Sequence, residues 1–504
     1  MFGLRPFVFK KALCGSAALL MAATTSLGGF LFGYNVGEIS GILTFHEFIR
    51  RFGADADHLP PLTLSLIVSL TSLGSLFGAL SCAYTADWWG RRMSLLLGVF
   101  VLVVGDTCQM CASRGSHLML GRFVSGLGLG KLSVAAPMVQ SESSPKEVRG
   151  AVVASYQLLV TLGILISTTI CYGFSNIEDQ TVSWRVVILL KFPFCLVFFA
   201  GVLSIPESPR WLAAREDWEG ARMSLARLRG LADKPHDPVI EQDFDEMKNI
   251  LGSQRQVGNS SWFECFRSSQ NMPKVLYRTL LGVGIHFLQQ WTGINYFFYY
   301  GVTIFQSAGY DKPILVQLVL ATVNVLATFF GLWLVERFGR RWPLIVGALW
   351  QAGCLIVFAS VGTVRKSELR SAHGLTWTSL VMMASVFSFI SSFACTWGPI
   401  TWVAARELFP LRTRAKQASM ATAGNWLGNF LIAFLSPIAT RHLSYSFGFV
   451  LVGTNLAAAA LIFFCLYESQ ALSLENVNLM YGASGLKAWN SRKWVPSGHM
   501  TRYE

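Results

Sequence analysis

Asp87-Trp88-Trp89-Gly90-Arg91-Arg92 and Glu336-Arg337-Phe338-Gly339-Arg340-Arg341 are one short loop written twice, 249 positions apart (336 minus 87), and the repetition decides the architecture. A single acid followed by Gly-Arg-Arg is a common stop at the end of a helix. Two further motifs recur in the same order. Glu142, Pro145 and Arg149 return as Glu407, Pro410 and Arg414, each 265 positions later (407 minus 142), and Glu207 in IPESPR is answered by Glu468 in LYESQA. Three motifs repeated in order read as two related halves, the signature of folds built from an internal structural repeat.

Composition supplies the solvent. The chain has 504 residues, 53% hydrophobic and 14% charged, against about a quarter charged in soluble proteins, so most of its surface is expected to face hydrocarbon. Apolar stretches recur from Cys14 to Tyr467. At about 20 residues per crossing, twelve spans fit, centred near residues 24, 73, 103, 128, 161, 195, 287, 324, 353, 388, 424 and 456. The expected fold is an all-α membrane protein of twelve transmembrane helices in two pseudo-symmetric six-helix bundles. Its divisions are a first bundle over 1–205, a linker over 206–274, a second bundle over 275–467, and a short polar tail over 468–504. Within the linker, WLAAREDWEGARMSLARLRG and IEQDFDEMKNILG place apolar residues at helical spacing among charges, as short amphipathic helices on a membrane face do.

The net charge of +13 does not indicate nucleic acid, because the basic residues form no cluster with interleaved aromatics. They concentrate instead in alternate loops, and the positive-inside rule makes those loops, and both termini, cytoplasmic. The first apolar stretch lacks a cleavage site and runs on into GGFLFGYN, which reads as a retained helix. The acceptor sequence Asn259-Ser260-Ser261 falls on the cytoplasmic side of this topology, where it is idle. The ten cysteines show neither metal-ligand spacing nor a paired framework. No catalytic set, metal cluster or phosphate loop is present, and GLGLG at 126–130 lies inside an apolar helix, where small residues serve close packing. The chain calls for no cofactor.

The words FGYNVGEISG (32–41), GRFVSGLGLG (121–130), SPKEVRG (144–150), PESPRWL (206–212), QQWTGIN (289–295), ERFGRR (336–341), ARELFPLRTRAK (405–416) and GNWLGNF (424–430) resemble the sugar porter family of the major facilitator superfamily over residues 13–480. PMVQSE (137–142) and the tail LSLENVNLMY look most like fungal hexose transporters. The resemblance implies two bundles rocking about a central site near the bilayer midplane, a monosaccharide substrate, a working monomer and the plasma membrane. It also implies a cytoplasmic latch, with Arg91, Arg92, Glu142, Arg149, Glu207 and Arg210 in the first half and Glu336, Arg340, Arg341, Glu407, Arg414 and Glu468 in the second. These charges can pair across the bundles or along one bundle.

A sugar needs neutral donors and acceptors for its hydroxyls and an aromatic face for its apolar side. The resemblance places Gln289, Gln290, Asn295, Asn324, Trp402 and Asn429 in that site. Intramembrane amides also serve as glue between helices, and Asn425 and Asn429, spaced i, i+4, fit either role equally. Gln289, Gln290 and Asn295 cannot share one narrow helical stripe, but Gly293 between them can loosen the turn. Gly398 and Pro399 are expected to break the helix before Trp402. Tyr299 and Tyr300 either close the outer side of the cavity or lie at the membrane interface.

Several positions depart from the family. Proton-coupled members carry an aspartate where this chain has Asn35, opposite the arginine corresponding to Arg122. An amide cannot take up and release a proton at physiological pH, which implies facilitative uniport over symport, with Glu38 and Asp106 left as substitute proton sites or paired structural acids. Lys131 and Lys191 stand inside spans, where an unpaired lysine costs about 2.5–3.5 kcal/mol on insertion scales, and Asp106 is a candidate partner for either. Thr168, Ala394 and His286 also differ from animal members. A sugar-sensing receptor of the same fold, drawing on Arg406 in ARELFP, and a proton symporter of another sugar, polyol or sugar acid are the alternatives.

Overall fold

In the computed structural model, residues 7–9, 12–53, 59–144, 148–175, 183–255, 262–269, 272–307, 312–365, 376–410, 412–470, 472 and 474–495 are described. Apart from a small hairpin pairing Phe7–Phe9 with Ala12–Cys14, the described elements are helical. Asn259 lies outside the described residues.

Twelve spans follow one another. The first half holds Ser16–Ile42, Pro61–Trp88, Arg91–Met110, Gly115–Ser143, Arg149–Ser175, and a sixth made of Ser183–Leu189 and Phe192–Ser204. The second half begins with a broken span, Val275–Trp291 and Ile294–Ser307, and continues with Pro313–Phe338, Arg341–Val364, a broken tenth span of Trp377–Cys395 and Trp397–Leu408, then Arg414–Leu443 and Phe447–Cys465. Among the described residues, ten stretches are long and apolar enough to cross a membrane, since the last two spans run together and the two pieces of the broken seventh are each short.

Each break has a local cause. At Gly293, φ is +110°, a left-handed conformation that a side chain would strain. In the sixth span, Pro193 lacks the N–H that would continue the helical ladder, and the chain turns at Leu190 and Lys191. The tenth span breaks at Thr396 (φ −122°, ψ −80°), two residues before the expected Gly398-Pro399.

Packing repeats with the sequence. Span 1 lies on span 5 and span 7 on span 11; span 4 holds spans 2 and 3, and span 10 holds spans 8 and 9; span 6 packs on span 3 and span 12 on span 9. The halves meet mainly through span 2 against span 11 and span 5 against span 8. Because lipid tails are as apolar as leucine, helices in a bilayer associate by close packing. GLGLG shows how: a Cβ on Gly126, Gly128 or Gly130 would lie 2.1 Å from the Thr71 carbonyl oxygen, 2.5 Å from that of Gly98 or 2.1 Å from that of Ser75. Outward faces stay apolar, with Phe100, Leu196, Trp350 and Phe464 exposed.

The stretch between the halves forms helices Pro209–Ala214, Trp218–Arg229 and Pro238–Arg255. Asp217 caps the second by accepting from the Gly220 N–H at 2.9 Å, and Gly230 (φ +76°) ends it. Ala213, Ala221 and Phe244 bury its apolar face. After span 12, helix Leu474–Gly482 folds back to stack Tyr481 on Tyr467, with ring centroids 4.5 Å apart.

Candidate functional site

Among the described residues, three groups of polar side chains stand out: a buried set of amides where the halves meet, a buried charged cluster inside the first half, and matched, half-buried ion-pair networks at the face carrying the Gly-Arg-Arg loops, here called the basic face.

The break at Gly293 turns the chain so that Asn295 donates to Gln290 Oε1, which the spacing alone had argued against. Gln290 Nε2 donates to Asn425 Oδ1 at 2.9 Å, and Asn425 Nδ2 donates to Gln289 Oε1 at 2.7 Å. Gln289 Nε2 reaches the Trp397 carbonyl at 2.7 Å, at the start of the helix that follows the break in span 10. Asn429 Oδ1 accepts from the Tyr299 hydroxyl at 3.0 Å and, across the two halves, from Ser72 Oγ at 2.9 Å. Both i, i+4 asparagines therefore join one network, which also links to the other half. Among the described residues, the Asn324 side chain on span 8 and the Trp402 indole N–H on span 10 make no hydrogen bond, although both residues are buried. The Trp402 ring meets His286 edge-on at 4.7 Å and Tyr156 of the other half at 6.3 Å. Tyr300 donates to the Ala433 carbonyl at 2.5 Å. The result is a neutral set of donors, acceptors and aromatic faces at the meeting of the halves, with no carboxylate or ammonium group among these side chains.

The charged cluster lies within the first bundle. Lys191 Nζ sits 2.9 Å from Glu38 Oε1 and 3.0 Å from Asp106 Oδ2, and the Lys191 and Glu38 side chains are 0% exposed. Asn35 Nδ2 donates to Glu38 Oε1 at 3.1 Å. Gln109 connects the rest, donating to Asp106 Oδ1 at 3.1 Å and accepting from Arg122 Nη1 at 3.4 Å. Asp106 thus belongs to Lys191. Lys131 donates instead to Ser81 Oγ at 2.8 Å.

At the basic face the duplicated motifs build the same network twice. Arg91 grips Glu142 with two hydrogen bonds (Nε to Oε2 3.0 Å, Nη2 to Oε1 3.1 Å), as Arg340 grips Glu407 (3.0 and 2.7 Å). Two parallel N–H bonds to one carboxylate are the strong geometry for such a pair. Ser208 donates to Glu142 and Ser469 to Glu407, both at 2.6 Å. Glu207 accepts from the backbone N–H groups of Arg91 and Arg92 at 3.1 Å, and Glu468 from those of Arg340 and Arg341 at 3.1 and 3.0 Å. These two acids cap the N-termini of spans 3 and 9, where helix dipoles favour negative charge. Burial pushes the Glu207 carboxyl above the usual glutamate range, while the N–H groups of Ser208 and Arg92 and the Arg91 charge draw it back. Gly90 (φ +92°) and Gly339 (φ +84°) are required beside them: a Cβ would come within 2.4 Å of Glu207 Oε2 or 2.8 Å of Glu468 Oε2.

Each network therefore pairs along its own bundle. The Arg92 and Arg341 side chains donate to the Leu203 and Phe463 carbonyls, and Arg414 to that of Phe409. Arg210 makes no ion pair among the described residues. The side chains of Arg149 and Glu336 lie outside the described residues. Among the described residues, Arg406 of span 10 joins the halves by donating from Nη1 to the Pro137 carbonyl of span 4 at 2.5 Å, and Trp426 of span 11 by donating from its indole to Ser133 Oγ at 3.0 Å. Ser72, Ser133, Ser208 and Ser469 escaped the sequence reading, since a lone serine carries no signal; the IPES and LYES repeats could have flagged the last two.

Residues 21–481 match the family described as "Sugar (and other) transporter". The chain is 37% identical over 486 residues to a low-affinity glucose transporter of Kluyveromyces lactis, covering 95% of this chain and 84% of that protein. It is also 37% identical over 478 residues to the low-affinity glucose transporter HXT3 of Saccharomyces cerevisiae, covering 94% and 83%. Among solved structures, the fold matches the major facilitator superfamily proton:xylose symporter XylE of E. coli, bound to 6-bromo-6-deoxy-D-glucose, with a TM-score of 0.77 and 23% identity over 92% of this chain and 99% of that one.

Proposed function

The chain belongs to the sugar transporter family, and on that premise we propose that it carries a hexose or similar monosaccharide across a bilayer by alternating access, as a facilitative uniporter. The observation that carries the reading is the neutral amide network where the halves meet. Gln289, Gln290, Asn295 and Asn429, with Asn425 and Ser72 beside them, exchange hydrogen bonds among themselves. A sugar entering such a set trades its water for these groups with little net loss, because each buried polar atom keeps a partner. Asn324 and Trp402 supply further donors, and the Trp402 face a surface for the sugar's apolar side. The yeast relatives named above, described as glucose transporters, support a hexose.

Binding energy shifts populations between states open to either side; no bond is made or broken. In this reading the basic face is cytoplasmic, the protein works as a monomer in the plasma membrane, and the structure is the state closed on that face. The twin Arg91–Glu142 and Arg340–Glu407 networks act as latches that hold each bundle's helix ends in register while the bundles rock, and the Arg406–Pro137 and Trp426–Ser133 bonds are those that must break for inward opening. Asn35 supports uniport, since the acid expected of proton-coupled members is an amide that donates to Glu38.

Uptake of labelled hexoses into cells lacking their own carriers, with and without an uncoupler, tests the proposal. Saturable uptake indifferent to the uncoupler is expected. A second reading, a sugar receptor that binds without transporting, draws on Arg406 bridging the halves; saturable binding with no uptake at verified surface expression would establish it. Uptake abolished by the uncoupler would establish a proton symporter.

A further inference from the structure

The first half contains a charged cluster that a carrier of neutral sugars has no evident need for. Glu38 on span 1, Asp106 on span 3, Arg122 on span 4 and Lys191 on span 6 are all buried. Lys191 lies at the turn that Pro193 imposes on span 6, and its ammonium sits between the two carboxylates, 2.9 Å from Glu38 and 3.0 Å from Asp106. Glu38 Oε2 accepts no hydrogen bond among the described residues, and neither does Arg122 Nε find an acceptor. The other titratable groups facing the cluster are Tyr34 on span 1, whose ring lies 5.9 Å from Lys191 Nζ, Cys171 on span 5, Cys195 on span 6, and Tyr299 and Tyr300 on span 7, which face Arg122.

Charge is conserved over this set. Two carboxylates face two cations, so the ionised cluster is neutral. A buried charge is tolerated when it is paired, whereas removing one partner leaves the other uncompensated in a dry site. A bundle that keeps a carboxylate without enough cations can balance it with a proton, and where that proton binds in one access state and leaves in the other, sugar movement is coupled to protons.

We infer that Lys191 is a built-in counter-ion: it supplies to Glu38 and Asp106 the positive charge that a transferable proton would otherwise supply, and so keeps the carrier independent of the proton gradient. The inference rests on the facilitative reading. Lys191 touches no residue of the proposed sugar site, so it is a positioning residue whose effect appears in coupling.

Lys191→Gln leaves two carboxylates facing Arg122 alone. One carboxylate then takes a proton from the outer solution before the bundle rearranges and releases it to the inner solution afterwards. Uptake of labelled glucose by whole cells at verified surface expression is measured at two pH values, with and without uncoupler. For Lys191→Gln, uptake roughly fivefold faster at pH about 5.5 than at about 7.5, and lost on uncoupling, is expected. Lys191→Gln/Asp106→Asn, which restores one carboxylate against one cation, is expected to return to uptake indifferent to pH and uncoupler. Lys191→Gln that transports indifferently to pH overturns the inference. Should the single variant fail to reach the membrane, arrival of the double variant supports charge balance, and failure of both alike overturns it. Uncoupler-sensitive uptake by the unaltered protein would instead defeat the facilitative reading, a separate outcome.

Discussion

Gln290 is the residue on which the amide network turns. Its carboxamide serves Asn425, Asn295 and Asn429 together, so Gln290→Leu leaves up to three buried groups without a partner, each worth about 1–3 kcal/mol. The expected result is a KM for glucose raised by about tenfold or more, read from initial uptake rates at normal surface expression; an unchanged KM would assign the amide to helix packing alone. That buried amides stand out was legible in the sequence, because amides are rare in apolar helices, but how they meet was not. Gln289, Gln290 and Asn295 share no helical stripe, and only the positive φ of Gly293 brings Asn295 back to Gln290. Asp106 had two candidate lysines, and spacing along the chain could not choose between partners from spans 4 and 6. The choice of Lys191 needed the turn at Pro193.

At the scale of elements, the repeated Gly-Arg-Arg loop shows how much a motif can state. It announced two halves and the ends of helices, and the structure has both. It left open whether the charges pair between bundles or within one, because a motif fixes neighbours along the chain and leaves those in space unspecified. The networks lie within each bundle, and their acids also cap the first turns of spans 3 and 9. Gly90 and Gly339 should therefore be equivalent. A Cβ at either meets a carboxylate oxygen of Glu207 or Glu468 and takes a glycine-only, positive-φ conformation that costs about 1–3 kcal/mol. Gly90→Ala and Gly339→Ala should each lower the Tm of the purified protein in detergent by several degrees. A fall in one and none in the other would show that the two networks do not share a structural role.

For the molecule as a whole, Arg406 donating to the Pro137 carbonyl is a polar bond between the two bundles. Arg406→Ala should shift the population toward the state open on the basic face. Ser133, buried beneath this contact, reports the shift: in a cysteine-free background, Ser133→Cys should react several times faster with a thiol reagent applied from that face once Arg406 is replaced. An unchanged rate would mean that the bond does not hold the face closed. The proposed cycle carries a hexose both ways with no coupled ion, and entrance counterflow is its sharpest test. Proteoliposomes holding the purified protein are loaded with unlabelled glucose and diluted into a trace of labelled glucose, with no gradient of protons or other ions. A transient rise of labelled sugar inside above its outside concentration, driven only by outflow of the unlabelled pool, is expected; label that merely binds, or that enters only when a proton gradient is imposed, would rule out facilitative transport.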